Sequence, residues 1–203
     1  MKKITGTIEW AAENINIAKG CANNCRYCYA NANAHRFTPE NQAAKNWTDE
    51  IIKNLDDKKL KKKYNGVVMF PSSHDITPGT LTASIQALKS LLSSGNSVLI
   101  VTKPRIDCIK SLCNELLEYK DKILFRFTIG STSSEVLKFW EPNAPTFEER
   151  FAALKYAHEN GFKTSISCEP FFDKTVDDLV QITRSYVTDS IWIGKANHLK
   201  ANL

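Results

Sequence analysis

The sequence predicts an α/β fold in which parallel strands are covered by outer helices. Two observations support this fold class: short apolar runs rich in β-branched and aromatic residues recur along the chain, and amphipathic helical segments lie between them. Units of about 30 residues that pass from strand to helix favour parallel pairing through crossover connections. Six strands fit either a partial barrel or a doubly wound sheet, and in both folds functional residues gather at the carboxyl ends of the strands.

Six segments have the length and composition of strands. They are Asn14–Ala18, Val67–Phe70, Val98–Thr102, Leu124–Ile129, Lys163–Cys168 and Ile191–Ile193. In the fourth segment Phe125 and Phe127 alternate with Arg126 and Thr128, so the apolar side chains should face the helices and the polar ones the interior of a barrel. An arginine in that interior needs a carboxylate partner, and Glu169 is the candidate.

The segments between the strands carry helical patterns. The predicted helices are Leu81–Ser94, Cys108–Tyr119, Phe147–Asn160 and a less regular segment that begins near Thr175. Thr146 and Glu149 form a capping box in front of the third of these helices, and Gly161 ends it. Each strand is therefore followed by a segment able to cover one face of the sheet.

The composition is that of an ordinary globular protein. Of 203 residues, 42% are hydrophobic and 24% are charged, so we expect residues 1–203 to form one domain with a substantial core. The first residues lack the apolar run of a signal peptide, and no stretch approaches the roughly 18 apolar residues of a membrane span. These features predict a cytoplasmic protein without membrane association.

The formal net charge is +5, and a run of lysines supplies much of the excess. This run, Lys58–Lys63, contains five lysines and one leucine. It is typical either of a solvated helix end or of a surface that contacts phosphates. The run alone does not decide between these interpretations.

Three of the six cysteines are crowded into the loop after the first predicted strand. Cys21, Cys25 and Cys28 have the spacing C-x3-C-x2-C. Cubane iron–sulfur clusters normally take four cysteines, so three would leave one iron open to another ligand. A zinc site with His35 as the fourth ligand is the alternative. The scattered cysteines, Cys108, Cys113 and Cys168, are expected to be small buried side chains.

This cysteine motif, with Tyr27 directly before the last cysteine, resembles the signature of radical S-adenosylmethionine (SAM) enzymes. The resemblance extends to the branch of spore photoproduct lyase and the DNA repair photolyase-like proteins. It rests on Cys28-Tyr29-Ala30 followed by His35-Arg36-Phe37, on Thr102-Lys103 after the third strand, and on Trp140–Pro145 followed by Glu149-Arg150.

The resemblance implies a partial (β/α)6 barrel of parallel strands with outer helices. It also implies two cofactors, a [4Fe–4S] cluster held by the three cysteines and SAM bound to the open iron. An electron donor of the flavodoxin or ferredoxin type would drive cleavage of SAM to a 5′-deoxyadenosyl radical, which abstracts hydrogen from a substrate. The substrate is unassigned, and the branch suggests a nucleic acid.

Eight residues are cofactor-binding candidates, some from the resemblance and others from their position directly after a predicted strand. They are Tyr27, Ser72, His74, Ser131, Glu141, Arg150, Lys195 and Asn197. Tyr27 would pack near the adenine, and Ser72 and His74 replace the Gly-Gly-Glu that many members carry after the second strand. His74 fits a SAM contact or general acid and a capping residue equally well. The competing hypothesis for the whole chain is a non-catalytic zinc or nucleic-acid-binding module that uses the same cysteines.

Overall fold

The structure is a computed structural model that describes residues 6–37, 46–53 and 57–195. The strands are β1 (Glu13–Asn14), β2 (Ala18–Lys19), β3 (Ile51–Ile52), β4 (Val68–Phe70), β5 (Val98–Thr102), β6 (Ile123–Thr128), β7 (Lys163–Cys168) and β8 (Ile191–Ile193). The α-helices are α1 (Tyr29–Phe37), α2 (Asp57–Leu60), α3 (Leu81–Ser93), α4 (Ile106–Glu115), α5 (Ser134–Trp140), α6 (Phe147–Glu159) and α7 (Asp177–Thr183). Three short 3₁₀ helices span Gly6–Glu9, Leu117–Lys122 and Arg184–Tyr186.

Six strands form one parallel sheet in the order β1-β4-β5-β6-β7-β8. The order follows the chain and never reverses, whereas a doubly wound sheet contains a point at which the strand order switches direction. The predicted partial (β/α)6 barrel is therefore confirmed. The remaining pair, β2 with β3, is antiparallel and lies outside this sheet.

The strands divide their side chains between the helices and the barrel interior as the alternation predicts. Phe125, Phe127 and Ile166 belong to the hydrophobic core, and so does Cys168, which therefore faces the helices. The interior positions Thr128 and Ser167 are partners in the β6–β7 register. The core is completed by the apolar faces of α3, α4 and α6, with Leu88, Leu91, Leu92, Ile109, Leu112, Ala153 and Leu154.

The first strand is shorter than predicted, because its polar groups are taken by other partners. The amide of Ile15 still donates to Met69 O at 3.0 Å. Beyond it, the amides of Ile17 and Ala18 both donate to Nε2 of His74, at 3.2 and 3.3 Å. The chain thus leaves the parallel sheet, and Ala18 then pairs with Ile52 in the small antiparallel sheet.

The helices differ from prediction mainly at their ends. Helix α5 was not predicted; it begins after Ser133, whose hydroxyl accepts from the amide of Val136 at 3.3 Å. The box before α6 is half formed, since Thr146 accepts from the amide of Glu149 at 3.3 Å. The Glu149 carboxylate instead accepts from the amide of Ile106 at 3.2 Å and so caps α4.

Arg126 lies in the barrel interior as predicted, but its carboxylate partner is Asp189 at 3.5 Å and not Glu169. Its Nε donates to Ser165 at 3.0 Å, its neighbour in the register. Glu169 lies four residues beyond Ser165 and forms no ion pair with Arg126, although its charge still favours the charged form of the guanidinium. The guanidinium lies over the rings of Trp10 and Trp192, at 4.7 and 5.2 Å.

None of the helices that the structure describes is long and apolar enough to cross a membrane.

Candidate functional site

The carboxyl ends of the strands surround a cavity of about 1470 Å³. All three crowded cysteines line it, as do Thr128 and Ser167 from the barrel interior. The cavity therefore joins the cysteine loop, residues 20–28, to the inside of the barrel. This is the location that the parallel topology predicts for functional side chains.

The cysteine loop is held by backbone hydrogen bonds to a covering segment, residues 46–53, here named the strap. The amide of Cys21 donates to Trp47 O at 2.8 Å, and the amide of Ala22 donates to Glu50 Oε1 at 3.0 Å. Gly20 has φ +83°, and a Cβ built on it would lie 2.0 Å from Asp49 O. Only glycine tolerates both the conformation and this close approach.

The three thiols are buried or partly buried and form no disulfide. Burial raises the pKa of Cys25 to about 12, and it raises the pKa of Cys21 and Cys28 as well. Thiolates at these positions therefore require a positively charged centre. The site fits a metal cluster in that respect.

A single metal ion fits the same residues poorly. Within the ranges 6–37, 46–53 and 57–195, no three His, Cys, Asp or Glu side chains converge on one point as ligands of a metal ion. His35 lines the cavity but does not complete such a group with the cysteines. In a cubane cluster, by contrast, each cysteine binds a different iron. Three thiols around one cavity wall match the cluster better than they match zinc.

Asp75 and Lys103 form a polar centre next to the cysteines, which the sequence did not single out. The Asp75 carboxylate accepts from the Lys103 amide at 2.7 Å, from Thr102 Oγ1 at 3.1 Å and from Asn23 Nδ2 at 2.9 Å. It also lies 3.7 Å from the Cys21 thiol and 3.5 Å from Lys103 Nζ. The sequence could have pointed to both residues, because Asp75 directly follows the candidate His74 and Lys103 is the second residue of the Thr102-Lys103 pair.

Both groups of this pair are charged despite their burial. Burial alone would raise the pKa of Asp75, but Lys103 and the hydrogen bonds hold it below its usual range. Burial likewise disfavours the Lys103 ammonium, yet the charge of Asp75 keeps its pKa well above the ordinary value. The Lys103 charge opposes part of the rise in pKa that burial causes at all three thiols. Lys103 is therefore a cation whose charge favours the thiolate form of all three cysteines.

Tyr27, Glu141 and Arg150 are joined in one buried chain of hydrogen bonds. Tyr27 donates its hydroxyl to Glu141 Oε1, and Arg150 Nη2 binds Glu141 Oε2. Arg150 also donates to Pro145 O at 2.9 Å and to Thr128 O at 3.1 Å. Tyr27 lines the cavity, whereas Glu141 and Arg150 do not. Their polar groups are occupied inside the protein, so contact of both residues with SAM stays a prediction that these bonds do not favour.

The other candidates divide between the cavity and the protein interior. Ser72, His74 and Lys195 line the cavity. Ser131 does not; its hydroxyl binds the Asp173 carboxylate instead. Asn197 lies outside the described residues.

His74 has no ring nitrogen available for a ligand. Nε2 accepts the two amides that end the first strand, and Nδ1 lies 2.9 Å from Asp75 O. A neutral ring that donates from Nδ1 satisfies all three bonds, and burial lowers the pKa of His74, which favours that neutral form. The capping interpretation is the one that these contacts support.

One family model matches most of the chain. The family model described as the Radical SAM superfamily matches residues 15–185. An uncharacterised protein, ORF301 of Acidianus two-tailed virus, is 29% identical over 176 residues, which cover 80% of this chain and 56% of ORF301. The chain thus spans little more than half of that relative.

Two solved structures share the fold. SuiB of Streptococcus suis bound to S-adenosylmethionine superposes with a TM-score of 0.66 at 14% identity, over 94% of this chain and 41% of SuiB. Spore photoproduct lyase complexed with dinucleoside spore photoproduct has a TM-score of 0.62 at 20% identity, over 84% of this chain and 52% of the lyase.

Proposed function

This chain belongs to the radical SAM superfamily, and we propose that it is an enzyme that cleaves SAM reductively with a [4Fe–4S] cluster. The observation that carries the proposal is the cysteine loop, whose three thiols face one cavity beside a buried lysine–aspartate pair. When bound, the cluster and SAM supply a 5′-deoxyadenosyl radical that abstracts a hydrogen atom from the substrate. The task of the protein is to bind these cofactors, orient them and exclude water.

Cys21, Cys25 and Cys28 would hold the cluster. Three thiolates would leave one iron without a protein ligand, and SAM would bind there. The strap supports the loop from outside, because it receives the amide of Cys21 and supplies Glu50 to the amide of Ala22.

Lys103 is the best candidate for the SAM carboxylate. It lines the cavity, is charged, and lies 3.5 Å from Asp75, which orients it. Charge-assisted hydrogen bonds to a carboxylate are strong in such a buried site. Arg150 is less suited to this role, because its guanidinium is bound to Glu141, Pro145 and Thr128.

Tyr27 is proposed to pack against the adenine. Its ring lies 5.5 Å from that of Phe172, and its hydroxyl is fixed by Glu141. Glu141 and Arg150 would act through Tyr27, as residues that position its ring. Ser72 and Lys195 remain proposed contacts of SAM or substrate at the cavity wall.

A nucleic acid is the substrate class that we propose, with a protein of the flavodoxin or ferredoxin type as the electron donor. The lyase of similar fold is complexed with dinucleoside spore photoproduct, which supports this class. SuiB, of equally similar fold, is bound to a precursor peptide in another structure, so a peptide substrate is the competing outcome. The fold is common to both and does not discriminate between them.

Anaerobic reconstitution with iron and sulfide tests the proposal. We expect about four irons per chain, slow conversion of SAM to methionine and 5′-deoxyadenosine under reduction, and a change in the electron paramagnetic resonance spectrum when SAM is added. A colourless protein that binds one zinc would support the non-catalytic module instead. An unchanged spectrum without nucleoside product would overturn the enzyme assignment.

Two cysteine substitutions provide the matched comparison. Cys25→Ala should lose the iron–sulfur absorption, because no spare cysteine is near in the sequence. Cys113→Ala should keep it, since Cys113 is part of the hydrophobic core. A full complement of iron in Cys25→Ala would contradict the assignment of the ligands.

A further inference from the structure

An exposed aromatic side chain lies on the outer side of the cysteine loop. Phe139, near the end of α5, is 54% exposed. The Arg26 guanidinium lies over its ring at 4.6 Å, and Arg26 Nε donates to Phe139 O at 2.6 Å. Arg26 itself follows Cys25 directly and is exposed. We name Arg26, Lys138 and Phe139 the outer patch.

The outer patch is connected to the cysteines by continuous contacts. The amide of Arg26 donates to Trp140 O at 2.9 Å. The rings of Phe139 and Trp140 are 5.2 Å apart, Trp140 stacks on Phe172 at 5.3 Å, and Phe172 packs against Tyr27 at 5.5 Å. Tyr27 stands between Cys25 and Cys28 in the chain. Packed and bonded atoms therefore lead from the surface to the ligands.

The cations of this surface lie next to Phe139, whereas the exposed carboxylate of Glu148 accepts a hydrogen bond from Ser134 Oγ at 2.7 Å, at the other end of α5. Arg26 and Lys138 are exposed, and Arg105 lies beside the loop, with Nη2 3.0 Å from Asn23 Oδ1. Glu141, by contrast, is buried and paired, while the exposed carboxylate of Glu135 lies one turn earlier on α5. An exposed aromatic ring flanked by arginine is typical of the centre of a protein interface.

We propose that the outer patch is the docking surface for an acidic one-electron carrier protein, such as a reduced flavodoxin. The inference rests on the proposed function, which requires an electron from outside the chain. In each encounter the carrier is oxidised by one electron, and the cluster is reduced by one; no bond is made and no proton is transferred. Such encounters bury little area and depend on complementary charge, which suits a small cationic patch with one apolar centre.

Two substitutions on the outer patch test the proposal, and neither changes a cavity side chain. Lys138→Glu and Phe139→Ser should each slow cluster reduction by reduced flavodoxin, on the order of tenfold for the charge reversal at low salt. Reduction by dithionite, a small molecule, should be unchanged in both variants. The measurement is anaerobic stopped-flow absorption of the reconstituted chain.

The matched control is Lys122→Glu, an equal charge reversal before β6, at the opposite end of the sheet. It should keep the wild-type rate with flavodoxin. Added salt should slow the wild type more than Lys138→Glu, because screening removes an attraction that the variant lacks.

Three results would overturn the docking surface: equal flavodoxin rates in wild type and both variants, equal slowing by Lys122→Glu, or equal slowing with dithionite. Failure of the wild-type chain to take up iron and sulfide would overturn the proposed function itself. Iron content is measured before the kinetics, so the two failures are distinguishable.

Discussion

At the scale of single residues, His74 shows how one side chain can shape the site without binding a ligand. Its ring nitrogen Nε2 accepts hydrogen bonds from the amides of Ile17 and Ala18. These bonds direct the chain out of the sheet just before the cysteine loop. Asn16 has a similar role in the segment after β4. Its Oδ1 accepts hydrogen bonds from the amides of Ser72 and Ser73 at 2.7 and 2.8 Å. Side chains thus replace the strand partners that these amides lack.

His74 should make the stability of the fold depend on pH. Burial holds the pKa of the folded-state ring below that of the unfolded chain, about 6.5. The stabilisation is complete above about pH 6.5 and is lost as the pH falls through the folded-state pKa, because the unfolded chain binds the proton more tightly. His74→Gln keeps an acceptor but cannot titrate, so urea unfolding at several pH values should show a weaker loss on acidification. An unchanged pH dependence would contradict this role.

At the scale of elements, the strap and the cysteine loop form one unit. The strap joins the loop through Trp47 O, Glu50 and the β2–β3 pair. Glu50 also accepts from Thr77 Oγ1 at 2.5 Å, which ties the strap to the segment after β4. Three stretches of chain that are distant in sequence therefore position the three thiols.

Gly20→Ala should separate the loop from the strap. The new Cβ would lie 2.0 Å from Asp49 O, so the backbone must move, and the variant should lose iron as well as stability. Gly95→Ala is the matched control, because Gly95 has a similar φ of +85° but only lysine side-chain atoms at 3.8 Å. Both variants carry the strain of a positive φ, about 1–3 kcal/mol. Only Gly20→Ala should lower iron and sulfide per chain. Equal iron content in both variants would show that contact between the strap and the cysteine loop is not needed for the cluster.

At the scale of the whole molecule, the cysteine loop and the lysine run lie at opposite ends of the sheet. The cysteine loop follows β1, whereas the lysine run precedes β4, and the two strands are parallel. The run is partly engaged within the protein: Lys61 pairs with Asp57 at 2.8 Å, and Lys62 lies 5.0 Å over the Tyr64 ring. The run is thus separated from the chemistry, as its position before a strand predicts.

Replacement of Lys61, Lys62 and Lys63 by alanine should therefore affect nucleic-acid binding and not SAM cleavage. If these lysines contact phosphates, log–log plots of affinity against salt should flatten by up to about three units, at roughly 0.9 per phosphate. Fluorescence anisotropy with single- and double-stranded oligonucleotides provides the measurement. No binding at low salt would remove the nucleic-acid hypothesis and leave a peptide or a small molecule as the substrate.

The sequence by itself determined the fold class, most strands and helices, and the cysteine loop, because each depends on local periodicity or spacing. The tertiary structure alone decided which polar residues face the cavity. Asp75 and Lys103 follow strands, Glu141 is the C-cap of α5 and Arg150 lies in the first turn of α6, and nothing in the sequence tells which of the four borders the cavity. Glu141 and Arg150 form an ion pair with each other and hydrogen bonds with Tyr27 and Thr128. Lys103 and Asp75, by contrast, line the cavity as a pair. Those partners come from distant parts of the chain. Because a buried polar group needs a hydrogen-bond partner, and only the folded chain decides which partners are near, the sequence alone could not identify these contacts.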